Sequence, residues 1–204
     1  MVIRYEDGTE EIVVTDESWN GADAPVVFAE IYDGEIYDAA KEIKDWAEAD
    51  CKDGQWKPAR KLDYDFSVLT GQGSGKVSLM DEVKPREIFR TPAGDTVIDF
   101  GQNMSALIQV TAAGKKGDVI QLDCFEVLDS KGNVYLDNLR GAKESLQYTF
   151  GEEGTITYRP SFTFMGFRYA KIVSFPGEPS LDNFTANAIH TNMERTGFLE
   201  TSNQ

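Results

Sequence analysis

Ser105-Ala106-Leu107-Ile108-Gln109-Val110-Thr111-Ala112, then the turn Gly114-Lys115-Lys116-Gly117, then Val119-Ile120-Gln121-Leu122-Asp123-Cys124-Phe125: this stretch decides the fold. Ala106, Ile108 and Val110 alternate with Leu107, Gln109 and Thr111, the period of a strand with one face buried. Outward from it, β-rich runs recur at regular spacing over 86–90, 96–100, 145–150, 155–158, 167–174 and 184–190. Pro92-Ala93-Gly94-Asp95 and Pro176-Gly177-Glu178-Pro179 supply turn chemistry between them. Short strands with turns at this spacing predict an all-β fold, an antiparallel β-sandwich over 85–191.

Upstream, runs at 2–6 and 9–14 flank Asp7-Gly8, a hairpin signature, and 26–32 is a third β-rich run. Residues 38–50 place Ile43, Trp46 and Ala47 at i, i+3 and i+4, which fits either a short helix or an irregular crossing loop. Thr70-Gly71-Gln72-Gly73-Ser74-Gly75-Lys76 is small and aperiodic, so 63–84 reads as a linker. Residues 1–62 hold too few strands to bury much of a core, so they read as the C-terminal part of another β-sandwich. Residues 192–204 read as a connection leading out of the second sandwich.

The chain of 204 residues carries 35 acidic and 20 basic side chains, a net charge of -15, and residues 1–60 alone hold 16 acids against 6 bases. Such acidity disfavours nucleic-acid backbones and anionic membrane surfaces. No apolar run approaches the ~20 residues that span a bilayer. Met1-Val2-Ile3-Arg4-Tyr5 runs into a polar strand without the regions of a signal peptide, so none is expected here. Cys51 and Cys124 lie far apart and His190 is the only histidine, so no Cys/His zinc set is available. Both cysteines read as buried free thiols.

His190 lacks a nucleophile elbow, and the 71–76 glycine run lacks the glycine and the Ser/Thr that a phosphate loop needs. Asp99, Asp123, Glu126 and Asp137 are the acids to weigh for glycoside hydrolysis. Asp123 and Glu126 fall on opposite faces of a regular strand, and all four read as solvated or turn-capping, so no catalytic residue is assigned. Aromatic rings stack on the C–H faces of sugars, and Trp19, Trp46, Trp56, Tyr32, Tyr37 and Tyr64 crowd the first 64 residues. Candidate carbohydrate contacts are Trp19, Trp56, Tyr32, Asn103 and Arg140. Phe162 and Phe164 share one face of an extended run, as do Phe167 and Tyr169, and all four read as core. Arg168 is expected to pair with Asp99 or to stack on a ring.

Several phrases occur in a telling order: Asp16-Glu17-Ser18-Trp19, Ile31-Tyr32-Asp33-Gly34-Glu35-Ile36-Tyr37-Asp38-Ala39 and Asp53-Gly54-Gln55-Trp56-Lys57-Pro58, followed by Asp99-Phe100-Gly101-Gln102-Asn103. Glu126-Val127-Leu128-Asp129-Ser130-Lys131-Gly132-Asn133-Val134-Tyr135, Asn138-Leu139-Arg140 and Arg159-Pro160-Ser161-Phe162-Thr163-Phe164-Met165-Gly166-Phe167-Arg168-Tyr169 complete the series. Together they resemble the β-sandwich region of bacterial α-L-rhamnosidases, the family 78 glycoside hydrolases. Met165 departs from the pattern, standing where a histidine is common.

The resemblance implies a concanavalin-like (jelly-roll) sandwich preceded by part of a second one. It also implies a parent enzyme that removes terminal α-L-rhamnose with inversion, using carboxylates on an (α/α)6 barrel. That barrel lies C-terminal to this region, and Gly197-Phe198-Leu199-Glu200-Thr201-Ser202-Asn203 resembles its threshold. The stretch itself is then non-catalytic, and its implied partners are that catalytic domain and rhamnose-containing carbohydrate. Some N-terminal sandwiches of the family bind rhamnose through calcium, which makes Asn20 and Pro25 the candidate metal ligands here. A secreted or periplasmic home is implied in the same way.

Overall fold

The computed structural model describes residues 1–49, 51, 56–73, 75–194 and 196–202. Asp53, Gly54 and Gln55 of the quoted phrase, Ser74 of the glycine run and Asn203 lie outside the described residues. Two compact units form, Met1–Ala24 with Lys41–Gly71, and Pro25–Ala40 with Gln72–Gln204. A single cut in the sequence does not describe this division, because 25–40 belongs with the second unit.

In chain order the strands begin with β1 (Val2–Arg4) and β2 (Glu10–Ile12), an antiparallel hairpin around Asp7-Gly8. β3 (Asn20–Gly21) follows, then β4 (Val26–Glu30), β5 (Gly34–Asp38) and β6 (Lys57–Pro58), which returns to pair with β3. Next come β7 (Val77–Val83), β8 (Glu87–Arg90), β9 (Thr96–Gly114), β10 (Val119–Phe125), β11 (Val127–Leu128) and β12 (Val134–Tyr135). β13 (Ser145–Thr149), β14 (Gly154–Tyr158), β15 (Met165–Ser174) and β16 (Phe184–Thr191) complete the set. Ten of these build one curled sheet in the order β4-β5-β13-β10-β15-β9-β16-β7, with β8 and β14 also on β9.

β9 turns this sheet into a sandwich. Its first half pairs with β8 and β15, and its second half with β16 and β14. The 96–100 and 105–112 runs are therefore one strand, continued through Gly101-Gln102-Asn103-Met104, which the sequence suggested was a break. Gly101 sits at φ +82, where a Cβ would stand 2.1 Å from the Arg86 Nε, so only glycine carries the strand past that side chain. Ala106, Ile108 and Val110 are buried, as their alternation predicts, against Leu122, Phe167 and Phe184 among others.

One sequence expectation is corrected here, and one open choice is decided. Val77–Val83 is not linker but β7, paired with β16 from Val83↔Ala186 to Val77↔Thr191. Of the helix or crossing loop that 38–50 allows, the described residues 38–49 take the irregular course, with no α-helix. A 3-10 turn at Ala39–Lys41 starts under the Asp38 carboxylate, which accepts from the Ala40 N–H at 3.1 Å, and the backbone then turns with Asp45 at φ 55. Trp46 has no core to pack on and stays 69% exposed.

The units differ sharply in burial. Among the described residues every buried hydrophobic side chain belongs to the second unit, while Val14, Leu62, Tyr64 and Phe66 of the first are exposed. This is the thin core that so few strands predict.

β4 and β5 join the second unit through a parallel pairing of β5 with β13, Gly34↔Ser145 to Thr149↔Asp38. Tyr37 stacks on its cross-strand partner Tyr148 at 5.4 Å, and Tyr158 tilts against both rings. Beside them Glu35 is 1% exposed. Its carboxylate accepts from the Tyr158 hydroxyl, from Ser161 N at 3.1 Å and from Phe162 N at 2.8 Å. A buried carboxylate is tolerated only when its lone pairs are so occupied. Glu35→Ala leaves these donors unpaired and is expected to lower the second unit's stability by about 2–4 kcal/mol in urea unfolding. A loss within error would show that the 158–162 segment is held by other contacts.

Candidate functional site

The acids weighed for catalysis are mostly committed. Asp99, on β9, is buried and takes a bidentate grip from Arg168 on β15, Nε to Oδ1 at 2.9 Å and Nη2 to Oδ2 at 2.8 Å. Gly101 N adds a third bond at 2.6 Å. The Arg168 guanidinium also lies 4.8 Å from the centre of the Tyr169 ring, so it makes both of the expected contacts. These hydrogen bonds hold the Asp99 carboxyl below the usual carboxylate range. Such a group keeps its charge and does not deliver a proton. Asp123 accepts from Ser145 Oγ at 2.8 Å and from Gln121, while Asp137 opens the 3-10 turn Asp137–Leu139.

Glu126 behaves differently. It leaves β10 at one end of the sandwich, where Asn103 Nδ2 donates to Oε1 at 3.0 Å and Asn138 Nδ2 to Oε2 at 2.7 Å. Glu144 carries a second carboxyl into this neighbourhood from a backbone at φ 45, a conformation non-glycine residues rarely hold. Burial, followed by the charge of Glu126, pushes the Glu144 carboxyl up to about 7, against a Gly166 N–H that favours its ionised form. Glu126 is thus held by two amide donors, while burial and the nearby Glu126 favour the protonated form of Glu144.

Two of the sequence candidates are tied to this neighbourhood by hydrogen bonds. Asn103 is a direct partner of Glu126. The Tyr32 carbonyl, in the β4–β5 turn, accepts from Lys143 N at 3.1 Å and Glu144 N at 3.0 Å, leaving the ring 65% exposed. Arg140 follows Asn138 by two residues, in a left-handed cap at φ 60. Asn138 and Glu144 were not singled out from the sequence. Only their place in the Asn138-Leu139-Arg140 phrase and the chain after it hinted at a role.

The other candidates lie in the first unit. β3–β6 pairing and the Ala59 N to Trp19 O bond of 2.8 Å fold two short strands around a cleft of about 740 Å³. Trp19, Tyr64 and Phe66 supply its aromatic wall, while Asn20, Lys57 and Arg60 supply polar and cationic groups. The Trp19 indole N–H donates to the Val14 carbonyl at 3.0 Å, which fixes the ring. Trp56 is 38% exposed and does not line the cleft, although it immediately precedes Lys57.

The two proposed calcium ligands fall in different units. Asn20 belongs to the first unit and Pro25 to the second, where the Pro25 carbonyl accepts from Asp38 N at 2.8 Å. Among the described residues no group of three or more His, Cys, Asp and Glu side chains is arranged to hold a metal. Cys124 is a buried thiol with its ionisation pushed up by burial, whereas Cys51 is only half-buried, which corrects the expectation of two buried thiols. His190 is exposed, with Nδ1 3.0 Å from the Thr191 carbonyl.

A curled antiparallel sandwich closed by one long shared strand is the architecture of concanavalin-like domains. Residues 89–190 match the bacterial alpha-L-rhamnosidase concanavalin-like domain, and residues 1–81 match the alpha-L-rhamnosidase N-terminal domain. The chain belongs to the bacterial α-L-rhamnosidase family. It is 35% identical over 203 residues to an alpha-L-rhamnosidase of Streptomyces avermitilis, covering 99% of this chain and 20% of that protein. An alpha-L-rhamnosidase of Alteromonas sp. is 32% identical over 199 residues, 95% of this chain and 21% of the relative.

Among solved structures, the native rhamnosidase from Aspergillus terreus superposes with a TM-score of 0.92 at 33% identity, over 99% of this chain and 24% of that one. The Streptomyces avermitilis enzyme complexed with L-rhamnose gives 0.86 at 36% identity, over 93% and 19%. The chain therefore spans about a fifth of the length of the relatives it matches.

The carboxyl pair yields a pH test. Folding raises the Glu144 carboxyl above the ~4.3 of an unfolded glutamate, so its contribution to stability is present below that value and is lost as pH rises through about 7. Glu144→Gln is expected to flatten the fall in Tm between pH 5 and 8 and to leave the variant the more stable of the two at pH 8. Parallel Tm–pH curves for the two proteins would remove Glu144 as the titrating group.

Proposed function

We propose that this stretch is a non-catalytic β-sandwich part of an α-L-rhamnosidase. In this reading it supports a catalytic domain elsewhere in the same polypeptide, an (α/α)6 barrel that removes terminal α-L-rhamnose from glycans or glycosides with inversion. The observation that carries it is how the sandwich spends its acids. Asp99 is locked to Arg168, Glu126 accepts from two asparagine amides and Glu35 from backbone N–H groups, so these acids are taken up by structural hydrogen bonds. The match to the family's N-terminal and concanavalin-like domains supports the same reading. A parent enzyme acting on plant or microbial glycans fits a secreted or periplasmic location.

A second reading rests on the first unit's cleft. Its three aromatic rings beside Asn20, Lys57 and Arg60 have the composition of a sugar-binding groove. In this reading the unit is a carbohydrate-binding module for rhamnose-containing sugars, with Asn20 as the oxygen donor to test for calcium.

The two readings separate experimentally. The 204-residue chain is expected to release no nitrophenol from p-nitrophenyl α-L-rhamnoside at high protein concentration, whereas turnover that survives repurification would overturn the non-catalytic reading. Titration calorimetry with millimolar rhamnose, with and without calcium, tests the module. Heat that disappears in Trp19→Ala supports it, and silence in both conditions removes it.

A further inference from the structure

The Arg159-Pro160-Ser161-Phe162-Thr163-Phe164 segment inverts the expected pattern. Phe162 and Phe164, which share a face and read as core, are 68% and 45% exposed, while Thr163 between them is 6% exposed. The inversion is enforced. Glu35 holds the N–H groups of Ser161 and Phe162, and the Thr163 hydroxyl donates to the Glu30 carbonyl at 3.0 Å. The chain thus uses a buried carboxylate to fix a loop whose outward side chains are two phenylalanines.

Next to this loop lies a recess of about 430 Å³, lined by Leu79, Leu107, Gln109, Thr157, Arg159 and Pro160. Arg159 reaches the buried Asn187, with Nη1 3.4 Å from Oδ1, and among the described residues no carboxylate pairs with it. Projecting rings on a rigid backbone, an adjacent hole and an arginine without a carboxylate are the elements of a protein–protein hot spot. Holding the loop in advance removes much of the ordering cost of association.

We propose that the Pro160–Phe164 loop and the Leu79/Leu107/Arg159 recess form the face on which the second unit docks against another domain of its own polypeptide. This rests on the reading of the stretch as part of a longer rhamnosidase. The occupant is a protein surface with an apolar pocket for Phe162 and an acidic side chain for Arg159. A sugar is the poorer fit, because the two projecting phenylalanine rings have no polar handle to orient one. An anionic bilayer is opposed by the net charge of -15. The same-polypeptide partner follows from length, since the matched relatives carry about five times as much chain as this stretch.

The test uses the product of the complete gene with Phe162→p-benzoylphenylalanine, illuminated and then mapped by digestion. The expected product is an intramolecular cross-link from residue 162 to a peptide outside residues 1–204. A cross-linked dimer, a link confined to 1–204, or no link at all overturns the proposal. In parallel, Phe162→Ser with Phe164→Ser is expected to leave the Tm of the 204-residue chain unchanged and to lower that of the complete protein by several degrees. Equal shifts in both would mean the rings stabilise the sandwich itself, which also overturns the proposal. Rhamnoside hydrolysis by the complete protein is assayed separately. A cross-link without hydrolysis keeps the docking face and removes the functional reading, and hydrolysis without a cross-link does the reverse.

Discussion

A single buried carboxylate, Glu35, organises the edge of the second unit. It sits on β5, more than 120 residues before the segment it binds, and it accepts from a tyrosine hydroxyl and two consecutive backbone N–H groups. Removing a carboxylate from water is costly, so such a group persists only where its surroundings are built to receive it. Here the surroundings are the stacked Tyr37–Tyr148 pair and Tyr158, with a hydroxyl that burial and the nearby carboxylate hold firmly protonated. The parallel β5–β13 pairing places Glu35 at this spot. Gly34 makes the pairing possible, because a Cβ there would stand 1.8 Å from the Ser145 carbonyl oxygen.

The same logic governs the far side of the sheet. Asp99 and Arg168 join β9 to β15 where the register slips between Phe167 and Tyr169, next to the glycine that lets β9 pass Arg86. A slip frees backbone positions, and the bidentate pair with its Gly101 N–H bond gives that region a defined geometry. The quoted Asp99-Phe100-Gly101 and Gly166-Phe167-Arg168-Tyr169 phrases are thus two halves of one structural joint. Their resemblance to family motifs marks architecture, and the chemistry of their charges is that of a clamp.

Legibility followed the range of the forces involved. Period-two burial is local, so 105–112, 119–125, 145–149 and 167–174 were readable as strands, and so was the sandwich they build. Pairing partners are not local. Nothing in 26–38 announces that it leaves its sequence neighbours to extend a sheet formed 70 to 160 residues later, nor that Val77–Val83 is its opposite edge. Of the residues picked from the sequence, Asn103 donates to Glu126 and the Tyr32 carbonyl accepts from Glu144 N. The carboxyl pair that gathers them was hidden, because Glu126 and Glu144 interact across space and Glu144 sits there through an unusual backbone angle.

The failure at Phe162 and Phe164 is the most informative one. Alternation correctly placed both rings on one face but could not say which face is buried, since that depends on where Glu35 and the Glu30 carbonyl stand. Left to hydrophobicity alone, the phenylalanines would turn inward and the threonine outward, a preference worth a few kcal/mol. The observed orientation requires Glu35 and Thr163 to oppose it with directional hydrogen bonds. At this loop directional polar bonds oppose apolar burial, as the buried Asp99–Arg168 pair does on β9, and they decide which side chains face outward.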